Sequence, residues 1–355
     1  MRNVISKIQL AIKRQRRAFR AEQFQPMVKF DRLNYTGIVA TCIFLALLVV
    51  GILHAGTVST FSTVSLRYNV PISGQAAFHA RQHAVENSED TFWPTFWHQN
   101  TTTISNNLRE ATVPAISFSG DASLVWPTAY LAGTAPSAVD SHGVAVSHAL
   151  AHRLWGSVNI IGKTVYVDNI PRYVRGVFEG DALLALISFH IEDTTPTFTA
   201  VELAGGNPTR ENVANFAISS GLGRPDDILL GGPISFARVL AIAPIFIPAV
   251  YLLVLLCKLP KAKYAIWGVL VLIGFLLPIL LNALPPWLIP TRWSDFSFWA
   301  GLWADGSYAL RTFLSASPTL RDVELKMLLI RQVGIFIAAT CVAVWFSCTW
   351  SRDKI

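Results

Sequence analysis

Four long apolar runs set the pattern of this chain, and the polar stretches between them divide it. Thr36 to Ala55 is twenty residues without a formal charge. As a helix that is enough to cross a hydrocarbon core of about 30 Å. Val239 to Cys257, Ala265 to Leu284 and Val333 to Trp350 follow much later. Pro244, Pro248 and Pro278 predict kinks, which neighbouring helices accommodate. One predicted span thus precedes a long polar region and three follow it.

Inside the polar region the period changes. Gly143 to Asp181 predicts a β-α-β-β unit. Val144 to Val146 reads as a strand, and Ser147 caps a short helix by accepting a free backbone N–H. Leu150, Leu154 and Trp155 share one helical face, and Gly156 can close the helix in the left-handed conformation. Lys163 to Asp168 alternates, with Val165 and Val167 on one side. Asp168 to Pro171 carries turn chemistry, and Tyr173 to Phe178 reads as the return strand. Further strands are expected at Val113 to Phe118 and within Ser123 to Tyr130. Arg67 to Arg109 is expected to begin as a helix running out of the first span. Asn207-Pro208 predicts a helix start, with Gly221 and Gly223 ending that helix after Ile218.

Composition places the whole chain in a membrane. Of its 355 residues 52% are hydrophobic and 14% charged, with a net charge of +7 and a positive mean hydropathy of +0.43. The charge is local: residues 1–35 hold nine Lys/Arg against Glu22 and Asp31, and the remainder balances. Ile5, Ile8, Ile12 and Phe19 fall on one face there, opposite most of the basic residues. That predicts an amphipathic helix in the lipid headgroups, with a solvated basic tail as the alternative and nucleic acid not the partner. A secretory signal peptide does not fit, because the apolar run comes late and no small-residue cleavage site follows.

Lys258, Lys261 and Lys263 stand in the short connection between the second and third runs. The positive-inside rule puts that connection and both termini in the cytoplasm, and residues 57–235 outside. Pro285 to Arg331, with Trp287, Trp293, Trp299 and Trp303, is expected outside as an interfacial segment. Its basic residues, Arg321 among them, mildly oppose this, and a re-entrant or cytoplasmic loop stays open.

Chemical motifs are few. Gly162-Lys163-Thr164 resembles a P-loop end, but Ser157 occupies the first glycine position and the strand and helix order is reversed. His148 and His152, like His79 and His83, have metal-ligand spacing without a third ligand. All four cysteines lie in or beside the apolar runs. No nucleophile elbow or zinc-protease motif occurs, and no charge lies inside the four runs as a coupled transporter usually requires. Neither cofactor, metal nor catalytic residue is expected.

The residues Val144 to Ser147, Leu150-Ala151, Leu154-Trp155-Gly156, Ile161 to Val165 and Tyr173 to Val177 resemble the periplasmic core domain of MacB-type ABC transporter membrane subunits. The one-plus-three arrangement resembles MacB- and FtsX-type subunits too. The resemblance implies an α-helical multi-pass membrane protein of four spans with an inserted extracytoplasmic α+β MacB-like core domain. It implies a bacterial plasma-membrane location. It also implies a permease-like subunit that transmits ATP-driven motion from a separate ABC ATP-binding subunit. The chain itself would not be an enzyme, and would pair as a homo- or heterodimer with a related permease.

The expected divisions are 1–35 basic helix, 36–56 first span, 57–235 outer domain, 236–284 two spans with loop 258–263, 285–331 interfacial loop, and 332–355 last span and tail. Lys258, Lys261 and Lys263 are the candidate ATPase-coupling residues. His148, His152, Arg153, Lys163 and Arg172 are the candidate partner-binding surface. The family's longer cytoplasmic coupling segment has no counterpart here. That motivates the alternative of a non-transporting scaffold or sensor whose outer domain binds a cell-envelope protein or peptide.

Overall fold

Helix α1 (Tyr35–Val58) is apolar around its whole circumference, and one stripe of it is buried. That stripe is Gly37, Ala40, Phe44, Leu48, Gly51, Ala55 and Val58, and its small residues let neighbouring helices approach closely. The computed structural model describes residues 35–61, 64–87, 92–257, 267–268, 271, 274, 296–315 and 319–352. The basic N-terminal segment, the Lys258–Lys263 connection and nearly all of the run from Ala265 to Leu284 lie outside the described residues.

After Val58 the chain turns at once into strand β1 (Val64–Ser73), not the expected helix. The cause is a period of two. Val64, Leu66 and Tyr68 are buried in one core, while Ser65 and Arg67 point to the other face. Helix α2 (Gly74–Glu86) follows, capped by Ser73, whose hydroxyl accepts the Ala76 N–H. Strands β2 (Phe92–Ser105) and β3 (Glu110–Ser119) form a long hairpin. The expected strand at Ser123 to Tyr130 is instead a short helix α3 (Ala122–Val125), capped by Asp121, and a four-residue strand β4 (Tyr130–Gly133).

The β-α-β-β unit is present. It comprises β5 (Gly143–Ser147), α4 (His148–Trp155), β6 (Thr164–Val167) and β7 (Ile170–Phe178). Ser147 Oγ accepts the Leu150 N–H at 3.2 Å, and Gly156 ends the helix at φ 72°. Asp168 and Asn169 both have positive φ, 47° and 69°, between the paired residues Val167 and Ile170. This is a two-residue turn whose twist suits a hairpin. The Asp168 carboxylate accepts from Thr102 Oγ1 at 2.6 Å and Thr103 N at 3.0 Å, tying the turn to β2. α4 buries Leu150, Ala151 and Leu154 against Val144, Val146, Val174 and Val177.

Strands β8 (Ala185–Ser188), β9 (Thr197–Gly205) and β10 (Asp227–Leu230) complete a mixed sheet in the order β10-β1-β9-β2-β3-β8-β5-β7-β4, with β6 against β2 and β7. Helix α5 (Arg210–Ser219) starts later than expected, because Thr209 and not Asn207 caps it. It joins α2 in covering one sheet face, with Phe92, Phe96, Phe198, Val201 and Leu203 between. Arg81 pins α2 down by donating to Ile191 O and Ser119 O, both at 2.6 Å.

From β10 the chain re-enters apolar helix: α6 (Gly232–Ile242), a 3₁₀ turn Ala243–Ile245 at Pro244, and α7 (Phe246–Cys257). The kink falls where Pro244 removes an N–H. Helix α8 (Phe296–Ser315) and α9 (Leu320–Arg352) close the described chain. Within the expected loop 285–331 the described residues are therefore largely helical. α9 begins thirteen residues before the predicted last run, because Thr319 Oγ1 accepts the Asp322 N–H at 3.2 Å and donates to Asp322 Oδ2 at 2.7 Å. That reciprocal cap starts a helix.

Among the described residues three helical stretches, Tyr35–Val58, Ile234–Tyr251 and Leu320–Ser347, are long and apolar enough to cross a membrane. The protein is a membrane protein carrying a mixed α/β domain. Phe44 and Leu48 meet Ala343, Ile245 and Ile247 at one end of the bundle. Val58 and Phe61 meet Ile234, Ala237 and Leu325 at the other. α1 therefore runs antiparallel to both α6–α7 and α9. The sheet domain is joined at the Val58 end.

Candidate functional site

Where the sheet meets the helices, alternation lines up an unusual set of side chains. Ser65 pairs with Glu202 and Arg67 with Ala200 across β1 and β9. Thr95 pairs with Glu202 and Trp97 with Ala200 across β2 and β9. Ser65, Arg67, Thr95, Trp97, Ala200 and Glu202 thus share the face opposite the α2–α5 core. The first turn of α9 lies against that face.

Glu202 is fully buried. Its Oε1 accepts from Ser65 Oγ at 2.7 Å and Trp97 Nε1 at 2.9 Å, and its Oε2 lies 3.2 Å from Arg321 Nη2. Arg67 Nη1 stands 3.8 Å from the same carboxylate, while Arg67 Nη2 donates to Asp322 Oδ1 at 2.8 Å. Among the described residues two cations and two anions, contributed by β1, β9 and α9, meet in this cluster. Arg321 also donates through Nε to Val125 O at 3.0 Å, satisfying a free carbonyl at the end of α3. The two guanidiniums lie over rings, Arg67 over Trp97 at 4.7 Å and Arg321 over Phe61 at 5.4 Å. The Leu320 N–H donates to Gln99 Oε1 at 2.7 Å.

Such a cluster fixes geometry more than it adds stability. Desolvating ions offsets much of their attraction, yet removing one partner strands a buried charge at a cost of about 3–5 kcal/mol. Rotation or withdrawal of α9 would have to break the cluster or carry the sheet along. A second polar contact ties α9 to α1 further along: His54 Nδ1 lies 3.0 Å from Oε1 of the fully buried Gln332. Gly51 makes room beside it, since a Cβ there would sit 3.4 Å from Ile335 Cγ2.

The residues singled out from sequence are placed differently. His152, Arg153 and Lys163 are exposed and His148 is half-buried, its ring 4.5 Å from that of His152. Arg172 is not exposed with them. It is buried, donates to Ser141 O at 3.0 Å and Ser188 O at 2.8 Å, and stacks over Phe189. Its position on β7 faces inward by the same period of two that buries Val174. His83 packs edge-on against Phe216. Among the described residues no three His, Cys, Asp or Glu side chains gather as for a metal. Lys258, Lys261 and Lys263 lie outside the described residues.

Sequence reading missed the cluster. Its signal was a glutamate within the apolar strand Phe198 to Gly205 and an arginine between Leu66 and Tyr68, each on a strand buried on both faces.

Comparison with protein families finds no match, and neither does comparison with curated proteins. Solved structures do match. The extracellular domain of the ABC-type transporter YknZ from Gram-positive bacteria is 10% identical, over 44% of this chain and 88% of that one, with a TM-score of 0.35. The periplasmic region of MacB from Actinobacillus actinomycetemcomitans is 12% identical, over 48% and 89%, with a TM-score of 0.39. A domain assigned to a permease protein of Porphyromonas gingivalis is 13% identical, over 46% and 86%, with a TM-score of 0.34. The likeness is one of fold. Each covers less than half of this chain.

Proposed function

We propose that this chain is a permease-like membrane subunit that transmits motion between its spanning helices and its outer α/β domain, driven by a separate ABC ATP-binding subunit. The observation that carries the reading is the buried Arg67–Glu202–Arg321–Asp322 cluster. It joins strands β1 and β9 of the sheet to the first turn of a helix long enough to cross the bilayer. α9 has 33 residues, about 50 Å at 1.5 Å per residue, against a hydrocarbon core of about 30 Å. A helix of that length has a spanning part and a stalk. The stalk carries Arg321, Asp322, Glu324, Lys326 and Arg331, and the cluster sits at its tip. The resemblance of the β5-α4-β6-β7 motif to MacB-type subunits supplies the energy source: ATP hydrolysed by a partner on the face opposite the domain. In this reading the chain itself catalyses nothing.

Mild extraction from native membranes tests this. An ABC ATPase is expected to co-purify, and its hydrolysis in nanodiscs to fall when Glu202→Gln is introduced without loss of the complex. No associated ATPase in any mild detergent or nanodisc overturns the reading.

The shortness of the Lys258–Lys263 connection supports a second reading, a sensor in which ligand binding outside moves α9. Replacing Lys258, Lys261 and Lys263 together separates the two. Function that survives this triple change, and is lost on altering the exposed His152, Arg153 and Lys163, favours the sensor.

A further inference from the structure

Helix α8 has an inner face against the protein and an outer face that leaves large apolar side chains exposed. Its inner face packs on the protein: Thr312 and Phe313 are buried, and Phe298, Gly301 and Leu302 half-buried. Phe313 joins Val58, Phe61, Ile234 and Leu325, and Arg210 of α5 stacks over the Tyr308 ring at 4.2 Å. Its outer face carries Phe296, Trp299, Leu310 and Leu314, which are 85%, 40%, 51% and 62% exposed. Their spacing of three, eleven and four residues keeps them on one side of a helix. A helix apolar on its outward face as well as its inward one needs a second apolar partner.

The level of α8 identifies that partner. Phe313 belongs to the apolar cluster that holds Val58, three residues beyond Ala55, where the charge-free run of α1 ends. Three residues of helix rise about 4.5 Å. The headgroup layer extends roughly 5–8 Å outside the hydrocarbon core on each side. The C-terminal half of α8 thus stands at headgroup depth, and four residues after Ser315 the chain is already capping α9. Exposed aromatic residues are the side chains that prefer this layer. Arg311 is exposed beside Leu310, and an arginine in this layer can offer its guanidinium to lipid phosphates.

We propose that α8 is a lipid-binding surface helix. It lies in the membrane plane with Phe296, Trp299, Leu310 and Leu314 seated at the headgroup–acyl boundary, and its other face holds up the β10 end of the sheet. The domain then rests on the lipid surface through α8 and on the bilayer's helices through the charge cluster. This goes beyond the ATP-coupled reading and does not depend on it.

The test uses the full chain with Cys42, Cys257, Cys341 and Cys348 replaced, in nanodiscs of phosphatidylethanolamine and phosphatidylglycerol. Spin labels go on Phe296→Cys, Trp299→Cys, Leu310→Cys and Leu314→Cys singly, with Leu108→Cys on the exposed β2–β3 turn as the solvated control. Collisions with oxygen are expected to exceed those with a water-soluble nickel chelate at all four sites, at one shared shallow depth, and the reverse is expected at position 108. Four sites that behave like position 108 overturn the proposal. So does low access to both reagents, which means a second copy or partner covers the stripe. So does a depth that changes steadily from 296 to 314, which means the helix dips into the bilayer. Should one labelled variant fail to insert, the remaining three decide.

Discussion

At the scale of single residues, the buried ions and one histidine make the sharpest statements. Glu202→Gln removes the counter-charge of Arg321 while keeping the shape, so it is expected to destabilise the protein by about 3–5 kcal/mol, read as thermal unfolding in detergent micelles. A cycle of Glu202→Gln, Arg321→Met and the double variant is expected to show strong coupling, the double costing well below the sum of the singles. Additive costs would mean that the two side chains do not share an environment. His98 on β2 is half-buried against Phe198, at 6.1 Å between ring centres, and its Nδ1 has no hydrogen-bond partner among the described residues. Burial pushes its pKa below the usual imidazole value. The folded state resists its protonation, so its contribution to stability is complete above pH 6.5. It is lost as pH falls from there through the lower folded value. His98→Leu is expected to flatten the stability–pH curve between pH 7 and 5 relative to the unaltered protein, and an unchanged slope contradicts this.

At the scale of elements, what the sequence discloses depends on how local the determining contacts are. The α4 unit was legible because its signals are short-range: Ser147 caps three residues ahead, Gly156 stops the helix, and Asp168-Asn169 turns within two residues. β1 was not legible as a strand, because its partners β9 and β10 lie more than a hundred residues away and the apolar run before it suggests continued helix. Edge strand β4 shows a different constraint. A Cβ on Gly176 would stand 2.3 Å from Thr134 O and 2.7 Å from the Tyr130 ring, so only glycine allows β4 to lie against β7. Gly176→Ala is expected to detach β4, read as faster amide exchange at Tyr130 to Gly133 with β5 still protected. Equal protection in both strands would count against it. In the membrane, Gly51→Leu is expected to push α9 from α1 and lower the melting temperature, while Gly51→Ala, whose methyl makes ordinary contact, is tolerated.

At the scale of the whole molecule, the charge cluster ties the sheet domain to the first turn of α9. The charge cluster was invisible in sequence for a physical reason. Arg67 and Asp322 are 255 positions apart, and a period of two marks an inward charge without naming its partner. From sequence Arg321 read only as a loop charge bearing on topology, because helix α9 starts earlier than its apolar run. Among the residues read as a binding surface, Arg172 proved a buried clamp, while His152, Arg153 and Lys163 stay available on the outside of the domain.

Transmission through the cluster is the central claim, and a distance measurement reaches it most directly. Spin labels at Leu108→Cys on the domain and Val344→Cys on α9, in the chain assembled with its ATPase in nanodiscs, report their separation by pulsed dipolar spectroscopy. A non-hydrolysable ATP analogue is predicted to shift that distance distribution in the otherwise unaltered protein. Glu202→Gln is predicted to abolish or broaden the shift while the complex stays intact. A shift that survives Glu202→Gln unchanged, or no shift with nucleotide bound, would contradict the account.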